Sequence, residues 1–323
     1  VARRIIVALT IGCVTAGLYW WHFFYSTLPG GDIAWPLCGA QALLQGQDPY
    51  AACPAFFGRW FPTNPLTTII TVLPLTPFSP RLGATIFTGI SAAVLAFGLT
   101  RENQWWRLLV FISLPYYQSL EMVQWAPLLT AVALFPALLP LTLAKPQVGL
   151  PIALAHLTWR RALACGLFLL GMLILDPMWP LRWLPHTQHY ADLAILPLLI
   201  LPVGPFLLLA LLRWRDPRAR LFMLMASMPQ RIFYDQLVLW LIPSTWREMV
   251  ILTISSWVVL LLGAHLGLTS PVWSVVCLYL PPLVFLIRPQ IAHAIEQIKK
   301  TPHNGVGSVA EQNEAEQLGQ HVT

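Results

Sequence analysis

The stretch LAILPLLILPVGPFLLLALL, residues 193 to 212, contains no charged residue. Its apolar residues do not alternate with polar ones, as the lipid and lumen faces of a membrane β-strand would. They are apolar all round, the pattern of a helix with no water-facing side. Within a bilayer the backbone is satisfied only in helices or closed barrels, so this stretch decides for an all-α, polytopic membrane helical bundle. The whole chain agrees. Of its 323 residues, 57% are hydrophobic and 10% charged, against about 25% charged in soluble domains, and the mean hydropathy is +0.66.

A helix crossing needs about 20 apolar residues, so the apolar length predicts about ten to twelve transmembrane segments, some short, kinked or re-entrant. They lie near 5–28, 64–80, 82–100, 105–119, 122–143, 146–159, 162–179, 192–212, 219–230, 236–246, 249–268 and 272–287. Residues 1–300 read as a single transmembrane domain and 301–323, almost without large apolar residues, as a disordered cytoplasmic tail. The 29 prolines each remove a backbone donor, which predicts broken helices around an internal cavity rather than straight rods. The first apolar segment lacks an A-x-A cleavage site and has spanning length, so it reads as a retained helix.

The formal charge of +6 is no nucleic-acid signature, because the cations do not line one soluble face. They sort by membrane side. With Arg3 and Arg4 inside, strict alternation places Arg81, Arg160, Arg161, Arg213, Arg215, Arg218, Arg220, Arg247, Arg288, Lys299 and Lys300 inside as well. It leaves Arg59, Arg101, Arg107, Lys145, Arg182 and Arg231 outside. Both termini are then expected in the cytoplasm.

The first outside loop, residues 29–64, opens on Gly30-Gly31-Asp32. Ile33, Leu37, Ala40 and Leu44 recur at helical spacing, with Gln41, Gln45 and Gln47 on other faces, which predicts an amphipathic interfacial helix started at Asp32 and stopped by Gly46. Cys38 and Cys53 share this loop; a disulfide between them and two separate thiols both fit the spacing. A second outside segment, LDPMWPLRWLPHTQHYAD (175 to 192), is placed to cap the same cavity.

Ionisable groups at membrane depth are costly and therefore candidates for function. Asp32 fits two roles that do not exclude each other: an N-cap accepting backbone N–H bonds, and a base accepting a proton from a hydroxyl. Asp48 in GQDPY reads first as a turn-forming Asp-Pro pair, with acceptor binding as the lesser role. Lys145, alone between apolar runs, must snorkel or find an anion such as phosphate. Arg231 and Asp235, four residues apart, suit an intrahelical ion pair or, for Arg231, a second anion-binding cation. Gln124 suits helix packing or a sugar hydroxyl. The chain has no phosphate loop, G-x-S-x-G elbow, H-E-x-x-H or C-x-x-C. His186 and His189 have spacing suited to one helical face but no third ligand, a weak metal signal; no metal-ligating residue and no cofactor is assigned, and a divalent metal requirement is left open.

The order GGDIAWPLCGAQALLQGQDPY, FPTNPLTTIITVLPLTPFSP, VQWAPLLTAVALF, AKPQVGLPIAL and IFYDQLVLWLIP resembles the GT-C superfamily of membrane glycosyltransferases. It is most similar to the polyprenol-phosphate-mannose-dependent mannosyltransferases of glycosyltransferase family 87 (DUF2029-like), over roughly residues 5 to 245. The family's G-x-D-P-Y turn is matched at Gly46 to Tyr50, its K-P-Q at Lys145 to Gln147 and its Y-D at Tyr234-Asp235. Its aromatic-Pro-Pro entry has the second proline displaced, at Phe61-Pro62-Thr63-Asn64-Pro65. Its G-Q-x-N appears only as Val123-Gln124-Trp125-Ala126. The resemblance implies Asp32 as catalytic base and Lys145, Arg231 and Arg59 as donor-phosphate ligands. It also implies Asp48, Tyr50, Gln124, Gln147, Tyr234 and Asp235 as substrate-binding positions. The partners it implies are a polyprenyl-phosphate-linked sugar donor, a glycan or lipid acceptor and membrane lipids, at a bacterial plasma membrane with the site outside. A lipid-linked sugar flippase and a non-catalytic subunit that keeps the scaffold are the competing expectations.

Overall fold

The computed structural model describes residues 1–23, 30–53, 64–188, 194–231, 233–266 and 271–300. Arg59, His189 and the tail from Thr301 lie outside the described residues. Two units divide the chain, Val1–Leu286 and Ile287–Thr323; in the second, the described residues 287–300 are helical. Everything that bears on the site belongs to the first.

That unit is all-helical among the described residues. Its α-helices are α1 (Ala2–Leu18), α2 (Ala34–Leu44), α3 (Pro49–Ala52), α4 (Leu66–Val72), α5 (Pro80–Leu99), α6 (Leu114–Glu121), α7 (Ala126–Leu134), α8 (Pro146–Ala155), α9 (Trp159–Leu175), α10 (Trp179–Trp183), α11 (Pro217–Ala226), α12 (Trp246–Leu266) and α13 (Pro271–Leu278), and α14 (Leu280–Lys300) continues into the second unit. Stretches of 3₁₀ helix lie between them, the longest at Trp105–Ile112, Pro136–Ala144, Gly204–Arg213 and Asp235–Leu241.

Among the described residues, three helices are long and apolar enough to cross a membrane: Ala2–His22, Pro80–Leu99 and Trp246–Gly263. Two broken pairs add to them, Trp159–Leu175 with Trp179–Thr187, bent by 88°, and Pro271–Leu278 with Leu280–Gln290. Several other apolar segments do not run straight. Residues 122–143, whose length predicts one crossing, turn at Phe135-Pro136, because proline cannot continue the hydrogen-bond ladder of α7. Gln124 and Lys145, at the two ends of this segment, meet at 2.8 Å, so α7 and the 3₁₀ stretch after it form a hairpin. α11 and Asp235–Leu241 form another, closed where Arg218 donates to the Ile242 carbonyl at 3.4 Å. Arms of this length rise about 15 Å, half a hydrocarbon core.

α1 and α5 pack antiparallel, as small residues allow. A Cβ on Gly12 would lie 2.8 Å from the Gly89 carbonyl and 2.9 Å from Ala93, the close approach typical of small-residue faces in membrane helices. Arg4 donates to the Phe97 carbonyl at 2.6 Å at one end of the pair, and Arg81 donates to the Trp20 carbonyl at 2.6 Å at the other. This corrects the expected placement of three cations. Arg81 lies at the end opposite Arg4, whereas Arg101 follows α5 at the Arg4 end and Arg3 sits 4.7 Å over the Trp105 ring there. Arg107 packs on Trp106 at the same end. The cause is the short α4 segment: Leu66–Leu75 is too brief to change sides, so α5 starts at the end where α1 stops.

The helix expected after Asp32 is present as α2, and Gly46 ends it in the left-handed region at φ 71°. Burial is not confined to one face: Ala34, Trp35, Leu37 and Ala40 are all buried, while Leu44 and Gln41 are exposed. Cys38 and Cys53 are joined by a disulfide, which ties the end of α3 back to the middle of α2.

Candidate functional site

Gly30 and Gly31 take positive φ, 82° and 53°, a region open to glycine without steric cost. A Cβ on Gly31 would stand 2.7 Å from the Met122 carbonyl, so the pair lets the backbone lie against the turn between α6 and α7. There the Asp32 N–H donates to the Met122 carbonyl at 2.9 Å. The facing turn is strained, with the β-branched Val123 at φ 52°, a conformation that persists only where surrounding structure imposes it. The two turns together aim Asp32 and Gln124 at each other.

Asp32 does not cap a helix. Neither the 3₁₀ turn Gly31–Ile33 nor α2 has a side-chain cap; the Asp32 Oδ2 instead accepts from the Gln124 Nε2. That overturns the N-cap expectation. The reason is the position of the carboxylate inside the first turn, turned toward the α6–α7 corner rather than back onto its own N–H groups.

From Gln124 the chain of polar contacts continues inward. Lys145 Nζ donates to Gln124 Oε1 at 2.8 Å and to Asp235 Oδ1 at 2.7 Å, and it stands 4.5 Å from the centre of the Tyr234 ring. Asp235 Oδ2 accepts from the Arg231 backbone N–H at 2.9 Å. Only one amide orientation serves both neighbours, since an ammonium cannot accept and a carboxylate cannot donate. Gln124, Lys145 and Asp235 are 2%, 6% and 0% exposed, which overturns snorkelling for Lys145: its charge is met inside. Asp32 is the partly accessible member.

The backbone around Lys145 is held by α4, where Thr67 donates to the Leu143 carbonyl at 2.6 Å and Thr68 to the Ala144 carbonyl. Pro146 then starts α8, which has no use for the missing N–H at that position. Asp235 gains its place as the first residue of its 3₁₀ stretch. Burial pushes the Asp32 carboxyl above its ordinary range, against the Gln124 hydrogen bond and the charges of Lys145 and Arg231, which pull it down. Two carboxylates and two cations thus face one another, a formally balanced set.

Other expected positions fall elsewhere. Asp48 caps α3, accepting from the Tyr50 N–H at 3.0 Å, which is the turn role the sequence favours. It also lies 3.4 Å from Arg182, which reaches Asp176 at 3.2 Å. Tyr50 stacks on His186 with centroids 6.0 Å apart, so the segment after α9 does close over the first loop. Gln147 is half-buried in the first turn of α8. No group of three metal-ligating side chains occurs among the described residues. Sequence reasoning missed a second polar layer beside Asp235: Tyr279 donates to Gln230 Oε1 at 2.6 Å and Gln236 donates to the same oxygen at 3.0 Å. Its one signal is a pair of glutamines flanking Tyr234-Asp235 before an apolar run.

The fold and the site together define an all-helical protein of membrane type with an acid–amide–ammonium–acid chain where two half-length hairpins, the α6–α7 turn and the start of the first loop meet. No family model, curated protein or solved structure matches the chain.

Proposed function

We propose that the chain is a membrane glycosyltransferase that moves a sugar, of the mannose class, from a polyprenyl phosphate to a glycan or lipid acceptor outside the cytoplasm. One observation carries the reading. Asp32, Gln124, Lys145, Tyr234 and Asp235, scattered over some 200 positions and picked out by the resemblance, meet in one cluster. The Cys38–Cys53 disulfide supports an outside location for this end, since disulfides persist in oxidising compartments. With Arg101 and Arg107 at the Arg4 end, the excess of cations at that end also supports a cytoplasmic N-terminus. The finer count of about ten to twelve segments is part of this proposal, with the hairpins as re-entrant ones.

In the reaction, Asp32 takes the proton of the acceptor hydroxyl as its oxygen attacks the sugar carbon and the bond to the lipid phosphate breaks. Gln124 holds the carboxylate in place, and Lys145 holds Gln124. Because Lys145 is already paired with Asp235, it takes the departing phosphate only by exchanging that partner; otherwise Arg231 supplies the charge. The test is transfer from a synthetic polyprenyl-phosphate mannose in proteoliposomes. Asp32→Asn should abolish transfer while keeping the fold, and full activity in that variant removes the reading. The pairing of Lys145 with Asp235 favours one second reading, a non-catalytic subunit that keeps the scaffold, which predicts no transfer by the unaltered chain with any polyprenyl-phosphate sugar.

A further inference from the structure

A small cavity lined in part by Gln124, and not by Lys145, opens between α1, α5 and α6. Its polar lining comes from Thr15, Thr88, Ser91, Tyr116, Ser119 and Gln124, and the space open to a water-sized sphere is about 10 Å³, the size that one water occupies. Most of the hydroxyls have a partner already: Thr88 donates to the Ala84 carbonyl at 3.0 Å, Ser119 donates to the Pro115 carbonyl at 2.6 Å, and Thr15 and Tyr116 share one hydrogen bond at 2.8 Å. Ser91 does not. It is 2% exposed, and its Oγ has no hydrogen-bond partner among the described residues. Gln124 lines the same cavity, and its amide nitrogen carries two protons, of which the Asp32 carboxylate takes one.

A buried hydroxyl without a partner carries its full desolvation cost. Polar cavities large enough for a water, with two to four partners within reach, hold one. We infer that this cavity is a site for a single ordered water that accepts from the Gln124 amide, donates to Ser91 Oγ and has its second proton free for an oxygen of the Thr15–Tyr116 or Ser119 wall. The water braces the Gln124 amide, so that Ser91, through it, is a positioning residue for Asp32. This holds whatever reaction, if any, Asp32 performs.

Three measurements decide it. A structure at a resolution that shows ordered solvent should contain one peak within hydrogen-bond reach of both Ser91 Oγ and Gln124 Nε2; empty density there overturns the inference. Ser91→Ala gives opposite signs for the two cases. A bridged hydroxyl lost lowers the melting temperature by about 2–4 °C, whereas removal of an unsatisfied one raises it or leaves it unchanged, and that result also overturns the inference. In a Gln124→Leu background the Ser91→Ala effect should shrink toward zero, because the two share one water. An equal drop in both backgrounds shows that nothing links Ser91 to Gln124.

Discussion

Asp32, Lys145 and Asp235 stand out in the sequence because a charge beside an apolar run is expensive. Their partners do not stand out, because Lys145 and Asp235 are 90 residues apart, beyond any helical spacing. The i, i+4 pair expected of Arg231 and Asp235 is realised through the Arg231 backbone N–H, while the Asp235 carboxylate takes Lys145 across the hairpins. A buried pair of this kind is costly to split, since the charge left behind has no water. Lys145→Met alone should cost about 3–5 kcal/mol, and Lys145→Met with Asp235→Leu should recover most of it, read as melting temperatures in detergent. Equal losses in the single and double variants would show that the pair is not a unit. The Asp32 carboxyl has its own consequence. Burial raises it above 3.8, so a base there is protonated over a wider acid range than an ordinary carboxylate. Transfer activity should therefore rise with pH along a limb lying above 3.8 and be level once Asp32 is ionised; a limb below that value would take Asp32 out of the base role.

At the scale of the element, capping residues decide where the half-length helices begin. Asp216 starts α11, accepting from the Arg218 N–H at 2.9 Å, and its carboxylate lies 2.9 Å from the Arg218 guanidinium and 3.4 Å from that of Arg213. Partial burial pushes its pKa up, but the Arg218 hydrogen bonds and the two arginine charges outweigh that and hold it below 3.8. A carboxyl whose folded pKa is depressed stabilises the fold fully above its unfolded value. That stability is lost as pH falls below 3.8 and through the folded pKa. Asp216→Ala should accordingly cost about 1 kcal/mol at neutral pH and nothing at a pH low enough to protonate the wild-type carboxyl. A pH-independent deficit would mean the loss is packing rather than charge. Prolines do the complementary work of ending segments. Pro136 turns α7 back, and it is legible in the sequence as a breaker, but not as a reversal of direction, because a kinked crossing and a hairpin carry the same residue.

For the whole molecule, sidedness is the property most exposed to test. With α1 and α5 antiparallel, a cysteine at Glu102 should be labelled from the same side as the N-terminus and one at Pro77 from the opposite side. An impermeant thiol reagent applied to sealed vesicles of known orientation reads this directly. Strict alternation of apolar segments predicts the reverse, so either result is decisive. The same frame places Asp32, Gln124 and Lys145 within the α1/α5 length rather than above it. Gln124 shares its cavity with Thr88, eight residues into α5 and so about 12 Å from that helix's start.

Composition and periodicity by themselves determined the class of this protein, an all-helical chain of membrane type, since backbone satisfaction without water leaves few alternatives. They also determined the α2 helix with its Gly46 stop, the turn at Asp48 and the identity of the costly charges. Only the tertiary structure decided what those charges do. Apolar length measures how much chain prefers lipid, not whether it crosses or doubles back, and the hairpins follow from contacts between segments far apart. The acid–amide–ammonium–acid chain is such a contact set. Apart from the Arg231 N–H that Asp235 accepts locally, its members are joined across the fold, because broken helices and a glycine-relieved turn end at one place.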